Sequence, residues 1–431
     1  MRNNIGRLLI ILSLCITLGL WLNVKEGESL LSIFTNFRYL GQISALIGVM
    51  LFVWEFVLAI KAHWLENIFG GLDKLYQIHH GVGAWAFVFL INHPLLLAIN
   101  TLPDTNGALT YFWFGNMLSY NLGIIALYSL LLLIVATIYF KLPYNIWYNT
   151  HIYMGVPMFF AIIHTFLIKS DISENQFLKL WIYLWLGIAL VSYIYKRFLY
   201  KYLTSRYEYV LERIEKAGDI LVLSLKPLNK KMNFRPGQFV FTTFDSKVTG
   251  GESHPYSFAS NPNDENIRLG IKRLGDYTLK LPSLKVGTKT ELIGPFGNFF
   301  DRSFVKDYNE VWIAGGIGIT PFLSMLEFRK EERSAKEITF YYSVVNKEEG
   351  VFNKYIQSVV GQIPNFSYKM VCTAKDGYLN AEKIKNSNGG SLENTLFFVC
   401  GPKPMMASLN AQLRSGGVKQ QNIIFEDYSL R

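Results

Sequence analysis

Residues 77–99, QIHHGVGAWAFVFLINHPLLLAI, form an apolar run with histidines near both of its ends. The run is longer than the ~20 residues that a helix needs to cross the hydrocarbon core of a bilayer. Ionisable side chains are costly in hydrocarbon and usually have a partner or a function there. The run therefore predicts a membrane-spanning helix with functional groups at two depths, at His79 or His80 and at His93.

Five more apolar runs of spanning length accompany it, and together they predict six spanning helices, at 8–24, 39–60, 77–99, 121–140, 147–168 and 177–199. The composition agrees, because 51% of the residues are hydrophobic and 17% are charged, against about 25% charged in an average chain. The first run follows Arg2 and Arg7 and lacks a small-x-small cleavage site, so we expect it to be retained.

Basic residues predict the orientation, because they accumulate on the cytoplasmic side of a membrane. One side would carry Arg2, Arg7, Lys61, Lys74, Lys141, Lys196, Arg197, Lys201 and Arg206, and the other Lys25, Arg38 and Lys169. We therefore expect both termini in the cytoplasm. The net charge of +10 is accounted for by this topology. Nucleic-acid binding would need a concentrated basic face, and the sequence shows none.

The cysteines exclude several kinds of site. Cys15, Cys372 and Cys400 lie far apart and form no CxxC pair, which argues against a disulfide scaffold, a zinc finger and a cysteine-ligated iron–sulfur cluster. The sequence contains no EF-hand loop, so we do not expect direct control by calcium. It also gives no sign of an obligatory protein partner.

The histidines of the third and fifth spans are similarly spaced, at 79 and 93 and at 151 and 164. At 1.5 Å per residue, each pair is about 20 Å apart along its helix. Fourteen residues return to within roughly 40° of the starting face, whereas thirteen miss it by roughly 140°. The fifth helix must therefore be kinked, tilted or over-wound for both of its histidines to face inward, and Pro157 is a candidate for the kink.

Two helices that each offer an upper and a lower imidazole make two bis-histidine sites, and haem is the cofactor that takes two axial imidazoles in a dry pocket. We expect His79 and His151 to hold the cytoplasmic-side haem b, and His93 and His164 to hold the outer one. His80 competes with His79 for the first site. The rival interpretation is a polytopic transporter, in which these histidines form a proton path and the remaining domain senses a nucleotide.

The sequence changes character after about residue 203. Short alternating runs at 207–211, 220–225, 239–244 and 267–271 are separated by turn residues, which predicts an antiparallel β-barrel over 204–305. From 306 to 431 the order strand, glycine-rich turn, helix, strand is typical of a nucleotide-binding α/β domain. Together with a membrane domain over 1–203, this gives three domains.

Two segments of the predicted barrel suit a flavin. His254-Pro255-Tyr256-Ser257 alternates so that a tyrosine ring and hydroxyls share a surface, and the flavin needs an aromatic wall with polar donors. Gly275 and Thr278, which follow Ile271-Lys272 at a helix start, are candidates for its pyrophosphate. An ordinary turn and strand remain the alternative for the first segment.

Two segments of the α/β domain suit a nicotinamide dinucleotide. Gly315-Gly316-Ile317-Gly318-Ile319-Thr320-Pro321 follows an apolar strand and opens a helix, where backbone and helix N-terminus favour phosphate. Cys400-Gly401-Pro402 ends a late strand, and open α/β sheets bind ligands at such ends. The alternative interpretation of Cys400 is a buried thiol with no role in catalysis.

Taken together, these motifs resemble the ferric reductase/NADPH oxidase superfamily, and its bacterial members in particular, with a second half similar to ferredoxin–NADP reductases. The resemblance covers roughly residues 35 to 431. It implies a multi-pass protein of the bacterial plasma membrane that passes electrons from cytoplasmic NADPH or NADH through FAD and two haems to an outer acceptor. That acceptor is O2, giving superoxide, or a ferric chelate.

The resemblance also implies roles for individual residues. The flavin would be contacted by His254, Pro255, Tyr256 and Ser257, and its phosphates would lie near Ile271, Lys272, Gly275 and Thr278. The nicotinamide nucleotide would be held by Gly315, Gly316, Gly318, Thr320, Pro321, Gly401 and Pro402. Cys400 would lie near the nicotinamide, and Tyr428, or else Phe425, would cover the flavin ring.

One position departs from the NADPH-selective pattern. Val345 stands where such proteins often carry an arginine for the 2′-phosphate, and Lys347 is a weaker substitute. Preference between NADPH and NADH is therefore left open.

Overall fold

The computed structural model describes residues 5–140, 144–304, 308–332, 336–387 and 391–426. The chain divides into two compact units, Met1–Leu203 and Thr204–Arg431.

The first unit is helical. Its helices are α1 (Ile5–Val24), α2 (Leu30–Thr35), α3 (Phe37–Leu58), α4 (His63–Phe69), α5 (Leu72–Thr101), α6 (Thr105–Leu109), α7 (Leu118–Ile138), α8 (Tyr144–Ile152), α9 (Gly155–Leu167), α10 (Asp171–Glu174), α11 (Gln176–Ile194) and α12 (Tyr200–Leu203). Six segments of the described chain are long and apolar enough to cross a membrane: 5–24, 37–58, 72–101, 118–138, 146–167 and 176–203. The six predicted spans are confirmed.

Glycines allow α3 and α5 to pack closely. A Cβ on Gly41 would lie 3.0 Å from Leu97 Cδ2, and a Cβ on Gly48 would lie 2.9 Å from Leu90 Cδ2. These two glycines are seven residues apart, two turns of helix, so they fall on one face of α3. A side chain at either position would push α5 and its histidines away from α3.

The fifth span is interrupted between its two histidines, whose thirteen-residue spacing predicted a helix that is kinked, tilted or over-wound. Helix α8 ends at Ile152 and α9 begins at Gly155, so His151 and His164 lie on different helices. Pro157 occupies the first turn of α9, where backbone N–H groups have no partner within the helix. The missing N–H of proline therefore costs no helical hydrogen bond there. The break removes the angular mismatch that a continuous helix would have.

Hydrogen bonds from buried indoles attach α1 to its neighbours. Trp54 Nε1 donates to Ser13 Oγ at 2.9 Å, and Trp181 Nε1 donates to Thr17 Oγ1 at 2.8 Å. Ser13 and Thr17 are one turn apart on α1, so a single polar stripe of this helix receives tryptophans from both α3 and α11.

The second unit begins with a curled antiparallel sheet. Its strands are β1 (Arg206–Ala217), β2 (Ile220–Pro227), β3 (Phe239–Phe244), β4 (Ser253–Ser257), β5 (Ile267–Lys272) and β6 (Lys289–Phe296), in the order β4-β3-β6-β1-β2-β5, and α13 (Asp276–Lys280) follows β5. An antiparallel bridge between Phe258 and Leu269 joins the two edges. Both of these side chains are fully buried in the core that the curled sheet encloses.

A parallel five-stranded sheet follows. Its strands are β7 (Asn309–Gly315), β8 (Ile338–Val344), β9 (Phe366–Cys372), β10 (Thr395–Cys400) and β11 (Ile423–Glu426), in the order β11-β10-β7-β8-β9. The helices of this region are α14 (Thr320–Glu332), α15 (Asn353–Val360), α16 (Thr373–Asp376), α17 (Ala381–Ser387) and α18 (Lys403–Ser415). The strand order reverses between β7 and β10, which makes the crevice at their carboxyl ends the expected ligand site.

A buried charge network stabilises the opposite end of this sheet. Arg329 Nη2 donates to Glu310 Oε1 at 2.9 Å, and Trp312 Nε1 donates to Glu310 Oε2 at 2.9 Å. The Ser303 hydroxyl contacts both Glu310 and Arg329. Because Arg329 and Glu310 are almost completely buried, each charge needs compensation, which Lys336 near Glu310 and Glu332 near Arg329 supplement.

Candidate functional site

The structure places the rings of His79 of α5 and His151 of α8 next to each other in an edge-to-face arrangement. Their ring centroids are 6.1 Å apart, and the ring planes cross at 76°. Two metal–nitrogen bonds of about 2 Å, together with about 1.1 Å from each nitrogen to its ring centre, require roughly 6.2 Å between centroids. The rings are therefore spaced for one iron between them. His80, the competing residue, is exposed.

His151 is fixed by stacking rather than by a hydrogen bond. Its ring lies 5.3 Å from that of Trp147, with an angle of 10° between the planes. Within the described part of the chain, its buried Nδ1 atom has no hydrogen-bond partner. The stacked indole therefore sets the direction in which the imidazole points.

The second pair is held by backbone carbonyls. Nδ1 of His93 lies 2.8 Å from the carbonyl oxygen of Gly41, and Nδ1 of His164 lies 2.6 Å from that of Ser119. A carbonyl can only accept, so each Nδ1 carries the proton and each Nε2 keeps its lone pair. That is the tautomer that ligates a metal through Nε2. Gly123 makes room, because a Cβ there would lie 3.0 Å from the His164 ring.

His93 and His164 both line one cavity of about 480 Å³ in the first unit. This volume is within the ~300–1,000 Å³ range of cofactor and ligand pockets. Leu46, Leu130 and Met158 are among its many apolar lining residues, and Arg38 and Lys169 lie along it as well. A flat, apolar macrocycle held by two imidazoles would fit the His93–His164 cavity, whereas for the His79–His151 pair the fit rests on the spacing of the two rings.

The two histidine levels belong to one rigid element. Helix α5 is continuous from Leu72 to Thr101, so His79 and His93 are separated by fourteen residues of helix, or ~21 Å. Because α8 and α9 supply one partner to each level, the bundle presents one pair of histidines at each of two levels.

The flavin-type motifs meet in the second unit. His254 of β4 lies against Tyr277 of α13 with ring centroids 3.8 Å apart, and His254 Nε2 is 3.0 Å from Glu252 Oε2. The Oη atom of Tyr256 is buried without a hydrogen-bond partner among the described residues. Burial raises the pKa of Tyr256 well above its usual value, so the phenol stays protonated as a donor for a bound group.

The predicted phosphate residues near α13 are less open than expected. Gly275 caps α13 with a φ of 87°, a conformation that favours glycine. The Thr278 hydroxyl is already bonded to the backbone N–H and carbonyl of Leu274, both at 2.7 Å. Lys272 is exposed, whereas Ile271 lies in the core, so Ile271 can take part only through its backbone.

The two dinucleotide motifs are in direct contact where the strand order reverses. A Cβ on Gly318 would lie 2.4 Å from the carbonyl oxygen of Cys400, and one on Gly401 would lie 3.0 Å from Gly315 Cα. Pro402 Cδ would lie 2.8 Å from a Cβ on Gly315. Only glycines permit this approach, and the resulting backbone cradle suits a dinucleotide at the carboxyl ends of β7 and β10. Gly316, with a φ of 54°, turns the chain into α14.

Thr320 and Pro321 are buried at the start of α14. Thr320 Oγ1 donates to the carbonyl of Ile317 at 3.1 Å, and a Cβ on Gly270 of β5 would lie 2.4 Å from Thr320 Cγ2. The threonine therefore packs the glycine-rich turn against the curled sheet. Its predicted contact with a nucleotide stays a prediction.

Cys400 ends β10 and is completely buried among core residues, so its predicted place near a nicotinamide also stays a prediction. Glu426, which the sequence analysis missed, is 4% exposed and pairs in register with Cys400 across β10 and β11. An acidic residue directly after the apolar run Ile423–Phe425 was the available signal. Tyr428 lies outside the described residues, and Phe425 packs beside the core.

Three family profiles match the chain. They are described as "Ferric reductase like transmembrane component" over residues 44–168, "FAD-binding domain" over 209–312 and "Oxidoreductase NAD-binding domain" over 312–411. The four paired histidines fall within the first match. The flavin-type and dinucleotide-type motifs fall within the second and third.

Each of the following two curated relatives matches about half of the chain. The toluate 1,2-dioxygenase electron transfer component of Pseudomonas putida is 29% identical over 221 residues, covering 48% of this chain and 63% of the relative. Flavohemoprotein A of Dictyostelium discoideum is 26% identical over 237 residues, covering 51% and 59%. The chain thus spans less than two thirds of the length of these relatives.

Among solved structures, the flavohemoglobin of Malassezia yamatoensis with bound FAD and heme superposes with a TM-score of 0.52 at 16% identity. The superposition covers 92% of this chain and 97% of that protein. At this identity the likeness concerns the fold alone.

Proposed function

We propose that this protein moves electrons across a membrane. The premise is that the chain is an NAD(P)H-driven flavin oxidoreductase with the ferric reductase/NADPH oxidase-like architecture, and that its second half is of the ferredoxin–NADP reductase type. The path runs from NADPH or NADH in the cytoplasm, through FAD and two b-type haems, to an acceptor on the outer side. With O2 as acceptor, one NAD(P)H and two O2 give NAD(P)+, two superoxide ions and one proton.

The observation that carries this proposal is the pairing of histidines at two levels of one helical bundle. His79 faces His151 at a distance suited to one iron, and His93 and His164 line one cavity with their Nε2 atoms available. A ~30 Å hydrocarbon layer is too thick for one cofactor, and two levels ~21 Å apart divide it into short steps.

The chain's residues bind and orient, whereas the bound groups supply the redox chemistry: FAD converts a two-electron hydride into single electrons, and each haem carries one electron. His79, His151, His93 and His164 would hold the two irons. Tyr256 would donate a hydrogen bond from its hydroxyl to the flavin. The close contact between Gly318 and Cys400 would hold the two backbone segments of the cradle in position for the dinucleotide.

Molecular oxygen suits a haem held by His93 and His164 in apolar surroundings. It is small and uncharged, so it would reach the edge of the bound group without a dedicated polar site. A ferric chelate is the alternative acceptor, and Arg38 and Lys169, which lie along the cavity, are cations that would favour an anionic chelate.

Anaerobic stopped-flow spectroscopy tests the proposal. NADPH or NADH should reduce flavin first and haem b second, and admitted O2 should reoxidise the haem with release of superoxide. Superoxide that is saturable in O2 and independent of added iron supports the oxidase. Reoxidation by ferric chelate alone supports the reductase. A purified protein without a haem b spectrum would favour the transporter interpretation instead.

A further inference from the structure

Glu55 is an acidic side chain inside a membrane-spanning segment, near the end of α3. The six spanning segments contain one other acidic residue, Asp73, in the first turn of α5. The Glu55 side chain is only 14% exposed. A carboxylate at such a position is costly and normally has a functional partner.

The partner of Glu55 is a predicted haem ligand. Its Oε2 atom lies 3.1 Å from Nδ1 of His79, although the ring N–H is not aligned with the oxygen as in a regular hydrogen bond. Hydrogen bonds at such sites often align only when the ring takes its working orientation. Gly83, one turn after His79, leaves the space, because a Cβ there would lie 2.8 Å from Oε2.

The other ligands lack such a partner. His93 and His164 use the neutral backbone carbonyls of Gly41 and Ser119, and Nδ1 of His151 has no hydrogen-bond partner among the described residues. The two levels of the bundle therefore differ in one mutable side chain. We propose that Glu55 is the positioning residue of the His79–His151 site. Its carboxylate accepts a hydrogen bond from Nδ1 of His79 and thereby lowers the reduction potential of the haem held there.

The physical reason is ligand basicity. A carboxyl oxygen that accepts from the distal nitrogen of an imidazole makes its other nitrogen a stronger donor to the metal and fixes the ring. A stronger donor favours the oxidised iron. The His79–His151 haem then has a lower potential than the His93–His164 haem, so electrons move downhill toward the outer side. This inference rests on the proposed function.

Redox titration of the purified full-length protein, with haem absorbance recorded at each potential, tests it. The variants are Glu55→Gln, which keeps the size but weakens the acceptor, and Gly83→Ala, which displaces the carboxylate without removing it. The matched control is Gly81→Ala on the same helix, where an added Cβ meets nothing within 4 Å. Haem content and the electron paramagnetic resonance spectrum of the oxidised protein are measured alongside.

We expect Glu55→Gln and Gly83→Ala each to raise the lower of two haem transitions, with the other unmoved and Gly81→Ala unchanged. Loss of one haem in Glu55→Gln, with both retained in Gly81→Ala, also supports the role. Two transitions that stay in place in both variants, or that move together, overturn the inference but leave the proposed function intact. A wild-type protein without haem would overturn both.

Discussion

Replacing Gly318 with alanine should separate the two dinucleotide motifs. The new Cβ would lie 2.4 Å from the carbonyl oxygen of Cys400, 2.6 Å from its carbonyl carbon and 2.8 Å from the Gly401 nitrogen. All three are backbone atoms at the end of a central strand, so none can rotate away. Restoring ordinary contact at 3.4 Å requires a shift of 3.4 − 2.4 = 1.0 Å between the turn and the strand end.

A misplacement of about 1 Å can cost about a hundredfold in rate, or ~2.7 kcal/mol. We therefore expect kcat/KM for flavin reduction by NADPH and by NADH to fall about a hundredfold in Gly318→Ala. Flavin and haem content should remain those of the wild type, because these sites lie elsewhere in the chain. The assay is anaerobic stopped-flow reduction of the flavin over a range of nucleotide concentrations.

The matched control is Gly361→Ala in the same domain. Gly361 has helical backbone angles, and its nearest neighbour, Gln357 O, is 3.8 Å from the new Cβ. This variant should reduce its flavin at the wild-type rate. If Gly318→Ala also did so with both nucleotides, the cradle between β7 and β10 would not be the dinucleotide site.

Arg329→Met should lower the free energy of unfolding by about 3 kcal/mol in denaturant titrations followed by flavin fluorescence, because it removes the closer of the two cations that compensate the buried Glu310 and leaves Lys336 at 3.5 Å; an unchanged midpoint would contradict this. The hydrogen bond to Glu66 raises the pKa of His63, so His63⁺ stabilises the fold below pH ~6.5 and this contribution disappears as pH rises through the raised pKa. His63→Gln should accordingly lower the melting temperature at pH 6 but not at pH 9. Val345→Arg should shift the kcat/KM ratio toward NADPH by about tenfold through a charge-assisted bond to the 2′-phosphate, and an unshifted ratio would place that phosphate elsewhere.

The membrane half was predictable because its signals are local. Spanning helices are recognised by the length and hydrophobicity of a continuous segment. The distance between His79 and His93 follows from the geometry of a single helix. The same arithmetic predicted that the fifth helix is kinked, tilted or over-wound between His151 and His164, and the structure interrupts it at Tyr153–Met154. The curled sheet and the parallel sheet were likewise readable from strand and turn patterns.

What the sequence did not reveal depends on contacts between distant segments. Nothing near Glu55 in the chain indicates that its carboxylate meets His79 across two helices, or that Gly83 leaves room for it. The sequence also did not indicate that the methyl group of Thr320 packs against Gly270 of β5. Glu426 comes to lie beside Cys400 only because β11 pairs with β10. Such partners are set by tertiary packing, which local patterns do not encode.

The most direct measurement of the central claim is the haem content of the wild type, His79→Ala and His93→Ala, from reduced-minus-oxidised spectra and quantitative haem extraction. The account predicts two haem b per wild-type chain and one in each variant, with flavin reduction by NAD(P)H retained in His93→Ala. A wild-type chain without haem b, or a His93→Ala variant that keeps both haems, would contradict it.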